Sequence, residues 1–268
     1  MNKRTYTAAD HTWLICAYRE SAYLEDCIRS LKAQQVPSRI LVCTSTPNEH
    51  IAALADKYGL ELRVNPGQPG IGTDWNFALD QGETEWLTIA HQDDVYDPDY
   101  TAEMLRRVSR ARDPILYFSD YAELRSGKRV TTNKLLRIKR LLLIPTRLFP
   151  AWKTARRLSL AFGDPICCPA VTYRRSKLGS LRFENHFRSD LDWEMEEKLS
   201  RLKGSFVYDP GRRMCHRIHE ESATTEIIGD HARTLEDFEM MKKFWPAPIA
   251  KRLSRVYASS EKSNTVGK

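Results

Sequence analysis

No apolar run in this 268-residue chain approaches the ~18 residues that a membrane-spanning helix needs, and 29% of its residues are charged, which argues against a protein that crosses a bilayer. The opening stretch, Met1 to His11, is polar and lacks the apolar centre of a secretory signal, so a cytoplasmic location is expected. The six cysteines, Cys16, Cys27, Cys43, Cys167, Cys168 and Cys215, include no pair at zinc-ligand spacing and read as reduced core residues. There is no G-x-x-x-x-G-K phosphate loop, no G-x-G-x-x-G after the first predicted strand and no Ser-His-Asp order. The glycine-rich stretch Gly67–Gly72 follows the third predicted strand, which counts against a dinucleotide-binding fold.

What is present is a regular alternation. The hydrophobic content of 41% is enough for a sizeable core. Strand patterns at Thr12–Ala17, Arg39–Cys43, Leu60–Val64, Glu85–Ala90 and Ile115–Phe118 are separated by helical spacing at Glu20–Gln34, Ile51–Tyr58, Gly72–Gln81 and Pro98–Arg112. That order predicts a mostly parallel sheet wrapped by helices. After Asp120 the rhythm breaks. Ser126–Gly127 marks a turn, Gly163–Arg174 is extended, Asp190–Leu202 is helical, and two short strands are expected at Ser205–Tyr208 and Arg213–His219. Ala232–Trp245 carries an amphipathic stripe of Leu235, Phe238, Met241 and Trp245, and the tail from Ala258 is polar and expected to be mobile.

Charge is unevenly placed. Residues 134–160 hold eight Lys or Arg and no Asp or Glu, which exceeds the net charge of +7 for the whole chain. The rest is near neutral, so a nucleic-acid partner is not expected. Leu141–Ile144, Leu148, Phe149 and Trp152 are interleaved with these cations, a mixture suited to a peripheral contact with a membrane surface, an acceptor wall or a lid.

The chemistry concentrates at His91-Gln92-Asp93-Asp94, directly after the fourth strand. In an open parallel sheet, ligands bind beyond the carboxyl ends of the strands. Adjacent acids there repel unless a cation or hydrogen-bond donors compensate, and hard divalent cations take carboxylate oxygens and share diphosphate oxygens. The plain alternative is a solvated turn with Asp97 capping the next helix. A second carboxylate group, Asp190 with Asp192 and Glu194, lies near the start of a predicted helix, and His219 follows. His11, His50, His186, His216 and His231 show no metal-ligand spacing, and His216 is expected to face away from His219 across the strand.

Placing TEWLTIAHQDDVYDPDY after a βαβα start resembles the family-2 glycosyltransferases, which have the GT-A fold. The likeness extends from about Thr12 to Ser222 through LICAYRESAYLEDCIRSLKAQ, NPGQPGIGTDWNFAL with Asn76, HQDD, SDLDWEMEEKL and HRIHEES. It implies one α/β domain of GT-A type, a mostly parallel sheet flanked by helices. A Rossmann-like donor half spans residues 1–120, an acceptor-binding and catalytic half 121–222, and a C-terminal helix and tail 223–268. The implied activity is transfer of a sugar from a nucleotide diphosphate, such as a UDP-sugar, to a hydroxyl of a saccharide or lipid-linked acceptor. That transfer would be inverting, dependent on Mn²⁺ or Mg²⁺, and part of polysaccharide or glycoconjugate assembly. Carried over by position, Asp94 and His219 would hold the metal, Asp190 would be the base with Asp192 as its alternative, and Ala17, Tyr18, Glu20, Thr44, Asp74 and Asp93 would meet the donor. The chain departs from the family at Thr44, Ser45 and Thr46, where many relatives carry an acid that reads the base, at Ser189 in place of a Glu, and at Trp75 in place of an Arg. A nucleotidyltransferase of similar fold and a non-enzymatic membrane-surface or nucleic-acid binding protein are the alternatives.

Overall fold

A computed structural model describes residues 4–219 and 232–261. Ser222, His231 and the tail beyond 261 lie outside the described residues. The first 120 residues alternate as expected: β1 (His11–Ala17), α1 (Leu24–Lys32), β2 (Arg39–Thr44), α2 (Glu49–Lys57), β3 (Glu61–Val64), α3 (Ile71–Gln81), β4 (Trp86–His91), β5 (Val95–Tyr96) and α4 (Tyr100–Arg110). There follow β6 (Pro114–Arg125), β7 (Lys128–Val130), α5 (Lys134–Leu142), α6 (Ile144–Leu148), α7 (Lys153–Leu160), β8 (Val171–Arg174), α8 (Arg175–Leu178), α9 (Leu191–Ser200), β9 (Ser205–Ile218), α10 (Ala232–Lys242) and α11 (Ala247–Glu261).

The nine strands form one sheet in the order β3-β2-β1-β4-β8-β6-β9-β5, with β7 hairpinned onto β6. β3, β2, β1 and β4 are parallel, β8 runs antiparallel to both its neighbours, and β6 and β9 are parallel again. The central strands are buried on both faces, which is why β1 reads as a continuous apolar run. Trp13 and Ile15 pack on one side with Leu24, Ile28, Tyr100 and Met104. Leu14 packs on the other with Leu41, Leu79, Ile89, Trp193 and Leu199. The registers Ala17↔Thr44 and Cys16↔His91 align the carboxyl ends of β1, β2 and β4 at one edge. Among the described residues no helix is long and apolar enough to cross a membrane.

The chain beyond α4 differs from expectation where polar residues hide strands. β6 continues past Phe118 to Arg125 because its buried acids are paired: Asp120 accepts from Arg140 Nε (2.6 Å), and Glu123 from Arg125 Nε (2.6 Å) and Asn133 (2.9 Å). The two short strands expected around Asp209-Pro210-Gly211 are one strand, β9, and the apparent turn is a bulge where the register against β6 shifts. Buried Asp209 takes the Gly211 N–H (2.8 Å), Arg213 Nε (3.0 Å) and Arg107 (2.8 Å) and so holds the bulge closed. Asp97 does not cap α4. Its carboxylate is held by both Arg129 nitrogens (2.8 and 2.7 Å), and the helix starts at Tyr100 after Asp99. The extended pattern at Gly163–Arg174 forms a strand only over Val171–Arg174. Of the expected stripe on α10, Met241 is fully buried while Leu235 is 68% exposed. The first four residues of the expected polar tail belong to α11.

A polar thread crosses the sheet interior. His11 is fully buried and meets Ser38 Oγ and Thr88 Oγ1 at 2.8 Å each; Thr88 Oγ1 lies 2.6 Å from Thr172 Oγ1, which lies 3.0 Å from the Tyr100 hydroxyl. Burial pushes the His11 imidazole down to about 3. The unfolded chain takes up a proton at His11 below about pH 6.5 while the folded protein does not, so the contribution of this site to stability is lost as the pH falls from about 6.5 toward 3, by up to about 1.4 kcal/mol per unit. Thermal melts of the wild type and His11→Asn between pH 7 and 5 should therefore diverge, with a flatter pH dependence in the variant. Identical slopes would contradict a neutral buried His11.

Candidate active site

The acidic turn joins β4 to β5. The Asp94 N–H closes it onto the His91 carbonyl (3.2 Å), and Gln92 turns outward to clasp the next loop, accepting from the Tyr18 N–H (2.9 Å) and donating to the Tyr18 carbonyl (3.0 Å). Asp94 is fully buried, and its Oδ1 accepts from the Arg217 N–H (2.8 Å) with His216 Nδ1 at 3.2 Å. His219 Nε2 lies 2.9 Å from Asp93 Oδ2. Arg217 donates from Nε to the Asp93 carbonyl (2.7 Å), reaches Asp26 (3.2 Å) and rests 4.3 Å above the Tyr23 ring. The end of β9 is thus folded over the turn and supplies the donors that two adjacent carboxylates require.

These pairings set the electrostatics. Burial pushes the Asp93 carboxyl up, but the His219 hydrogen bond and the positive fields of His91 and His216 outweigh it and hold the group below the usual carboxylate range. Burial pushes the His216 imidazole down, and Asp94 outweighs that and raises it. Sequence spacing had set His216 facing away from His219. Both instead converge on the acidic pair, because β9 ends at Ile218 and the pleat no longer dictates where His219 points.

His91 was read as the first residue after the fourth strand and given no role of its own; the structure makes it the last residue of β4. One ligand atom each from His91, Asp93 and Asp94 lie within 4.8 Å of one another. The His91 ring stacks on Trp75 (5.2 Å between centroids, 20° between planes), and its Nε2 is buried without a partner. The signal lay in the i, i+2, i+3 spacing of His91, Asp93 and Asp94. Two carboxylates and an imidazole with an unmatched nitrogen suit a divalent cation.

The expected donor residues gather beside this turn. Ala17 is buried at the end of β1, and Tyr18, Arg19 and Glu20 are exposed beyond it. Arg19 sits in the left-handed region at φ 53°, which is uncommon for a side-chain-bearing residue. Its N–H is held by Thr46 Oγ1 (2.6 Å), whose own N–H donates to Thr44 Oγ1 (3.0 Å). Asp74, in the first turn of α3, accepts from Ser45 Oγ (2.8 Å) and Asn65 Nδ2 (2.9 Å), tying the loops after β2 and β3 together. Asn76 makes a two-way pair with the Phe183 backbone (2.9 and 2.8 Å) and joins α3 to the acceptor half.

Asp190 is buried at the position preceding α9. Glu236, on α10, accepts from the backbone N–H groups of Arg188 (2.8 Å), Ser189 (2.7 Å) and Asp190 (3.3 Å) and from the Ser189 hydroxyl (2.6 Å). Burial pushes the Glu236 carboxyl up, and these donors outweigh it and lower it. Ser189 stands where relatives carry a Glu, and the carboxylate at this place comes from Glu236, some 47 residues later. Nothing in the local sequence announced it. Asp192 is half-buried and accepts the Trp193 N–H (2.9 Å). Burial pushes the Cys167 thiol well up, and Asp94, Asp164 and Asp192 add to this against Lys139, so Cys167 lies within electrostatic reach of both the acidic turn and the start of α9.

The family model for glycosyl transferase family 2 matches residues 12–181. No curated protein matches the chain significantly. Among solved structures, the mannosyltransferase PcManGT from Pyrobaculum calidifontis in complex with GDP-Man and Mn²⁺ is 15% identical with a TM-score of 0.67, over 97% of this chain and 72% of that one. S. aureus TarS 1-349 in complex with UDP-GlcNAc is 14% identical with a TM-score of 0.61, over 95% and 73%. Glucosyl-3-phosphoglycerate synthase from Mycobacterium tuberculosis, in complex with Mn²⁺, UDP and phosphoglyceric acid, is 14% identical with a TM-score of 0.57, over 89% and 80%. At these identities the likeness shows the fold, a GT-A arrangement.

Removing the Glu236 carboxylate leaves buried backbone donors at the start of α9 without an acceptor. Glu236→Ala is expected to lower unfolding stability by about 2–3 kcal/mol, with Glu236→Gln losing less. Urea denaturation midpoints measure this, and a Glu236→Ala protein as stable as the wild type would refute the assignment.

Proposed function

The chain belongs to glycosyl transferase family 2 and draws on a nucleotide-sugar donor, and from that premise we propose that it transfers the sugar with inversion, with a divalent cation at the acidic turn and Asp190 as general base. The observation that carries this reading is the convergence of His91, Asp93 and Asp94 at the carboxyl end of β4, beside the loop that follows β1. The carboxylates of this turn would hold Mn²⁺ or Mg²⁺, which would supply positive charge against the departing nucleotide diphosphate.

The chain's own residues do the rest. The Tyr18–Glu20 loop, fixed by Gln92 on one side and Thr46 on the other, is the wall for the nucleotide. Thr44, Ser45 and Thr46 offer hydroxyls and backbone amides to the base or ribose, and Asp74 holds Ser45 in place. Asp93 meets the ribose or donor sugar, and His219 orients Asp93 or the diphosphate. Asp190 accepts the proton of the acceptor hydroxyl as the acceptor oxygen bonds to the anomeric carbon and the anomeric bond to the diphosphate breaks. General-base assistance of this kind is worth about 10²–10⁴ in rate. Asp192 is the alternative base. Donors with UDP or GDP, which the similar structures hold, are the first to test, UDP-sugars ahead of the others.

The acceptor is a saccharide or a lipid-linked sugar, and the face built by α5–α7 is its peripheral contact with the inner membrane surface. Leu141, Leu148 and Trp152 are 63%, 62% and 62% exposed, and Phe149 stacks on Trp152. Lys134, Arg137, Arg147 and Lys153 are exposed around them. The other cations of the segment turn inward: Arg140 to Asp120, Arg157 to Glu197, Lys139 over the Tyr121 ring, and fully buried Arg156 to the carbonyls of Ser200 (3.0 Å) and Leu202 (2.7 Å). Four cations near an anionic surface add about 1 kcal/mol each at most, enough for reversible contact alongside inserted apolar groups.

Two measurements test this reading. Titration calorimetry with UDP or GDP should show binding that requires Mn²⁺ or Mg²⁺ and weakens in Asp94→Asn, while Asp190→Asn binds normally yet loses transfer at least ~100-fold. Full turnover in Asp190→Asn with loss in Asp192→Asn would move the base to Asp192. Co-sedimentation should show binding to anionic vesicles that fades with salt and is abolished by Leu148→Ser with Trp152→Ser. Absence of binding to both anionic and neutral vesicles would overturn the membrane contact.

A further inference from the structure

The resemblance that identifies the family places the cation on Asp94 and His219 and gives His91 no part. We infer that His91 is itself a ligand to the cation and that its imidazole makes the site favour Mn²⁺ over Mg²⁺. This rests on the cation site proposed above.

Three observations converge on His91. Its ligand atom shares a 4.8 Å cluster with Asp93 and Asp94, compact enough for one ion to touch all three. Its Nε2 is buried and has no hydrogen-bond partner. A buried polar nitrogen without a partner is unfavourable, and a ligand removes that cost. The residue is also held still. Trp75 stacks on one face of the ring, while the His91 carbonyl accepts from Cys27 Sγ (3.3 Å) and the Asp94 N–H (3.2 Å). Trp75, which replaces the Arg seen in relatives, therefore fixes an imidazole at the site and brings no competing positive charge.

The remaining imidazoles are placed differently. His216 and His219 lie against carboxylate oxygens of Asp94 and Asp93. That is the arrangement of outer groups that orient ligating acids. Among the described residues, His91 is the one of the three with a ring nitrogen that is both buried and without a hydrogen-bond partner.

The donor set then decides among ions. Mg²⁺ demands near-ideal octahedral oxygen coordination and dehydrates reluctantly, whereas imidazole is a good ligand for first-row divalent metals. Replacing one oxygen ligand by a fixed nitrogen therefore penalises Mg²⁺ more than Mn²⁺. The Trp75 stack magnifies the effect, because the ring cannot swing aside to let a water take its place.

Electron spin echo spectroscopy of Mn²⁺ bound to the full chain with UDP reads ligation directly, through the ¹⁴N modulation of a coordinated imidazole. We expect modulation in the wild type, its retention in His219→Asn and its loss in His91→Asn. Calorimetry of metal binding with UDP should show the Mn²⁺-to-Mg²⁺ affinity ratio falling about tenfold in His91→Asp, which restores an oxygen ligand. Modulation that persists in His91→Asn, or an unchanged ratio in His91→Asp, would overturn the inference and leave the cation site standing. A wild-type protein that binds no Mn²⁺ with UDP would instead overturn the cation site itself.

Discussion

Two carboxylates side by side at a strand end repel each other, and the architecture around the site answers that repulsion. Asp94 is fully buried, and a backbone N–H and an imidazole from β9 reach it. Asp93 is matched by His219, and its carbonyl by Arg217. To deliver these groups β9 must run fourteen residues along β6, with β5 paired to it at Met214 and Cys215. The length of β6, the bulge at Asp209–Gly211 and the clamp of Asp209 by Arg107 and Arg213 serve that reach. A carboxylate pair thus sets the geometry of the whole acceptor side of the sheet.

The donor half was legible in the sequence because its physics is local. Runs such as Trp13–Ile15 and Leu41–Val42 are buried on both faces, so their strands appear as apolar blocks, and the helices between them show a plain apolar stripe. The order of motifs also gave the turn at Asp93–Asp94. The acceptor half was less legible because it substitutes long-range polar pairs for apolar runs. Asp120 and Glu123 look like loop residues until Arg140 and Asn133 arrive to satisfy them. Asp209-Pro210-Gly211 has the composition of a turn, and only its registry with β6 makes it a bulge. Glu236 has no local signature at all, since its role exists only when α10 docks on the start of α9. His216 was set aside by a rule of alternation that holds inside a strand and lapses at its end.

The basic segment teaches the same distinction in charge. As a string it carries eight equivalent cations; in the fold they divide. Arg156 closes the carboxyl end of α9 by taking carbonyls at Ser200 and Leu202, a favourable place for a cation. Lys139 is half-buried, and burial pushes its ammonium down while the fields of Tyr121, Asp164, Tyr257 and Cys167 outweigh that and raise it. What remains on the outside is a smaller, mixed face of cations and large apolar groups, and its composition follows from which residues the core had already claimed.

The clamp between Arg217 and the acidic turn spans 123 residues of chain. A ribosome releases the chain from its first residue onward, so β1 to β4 and their helices can pack while the partners of Asp93 and Asp94 have yet to be joined to the polypeptide. Throughout that interval the pair faces water, solvated and repelling, and the loop at Tyr18–Glu20 has Gln92 but not the completed turn to lean on. Synthesis itself therefore orders assembly: β1 to β4 can pack first, and the clamp on the acidic pair closes only after residue 219 has emerged.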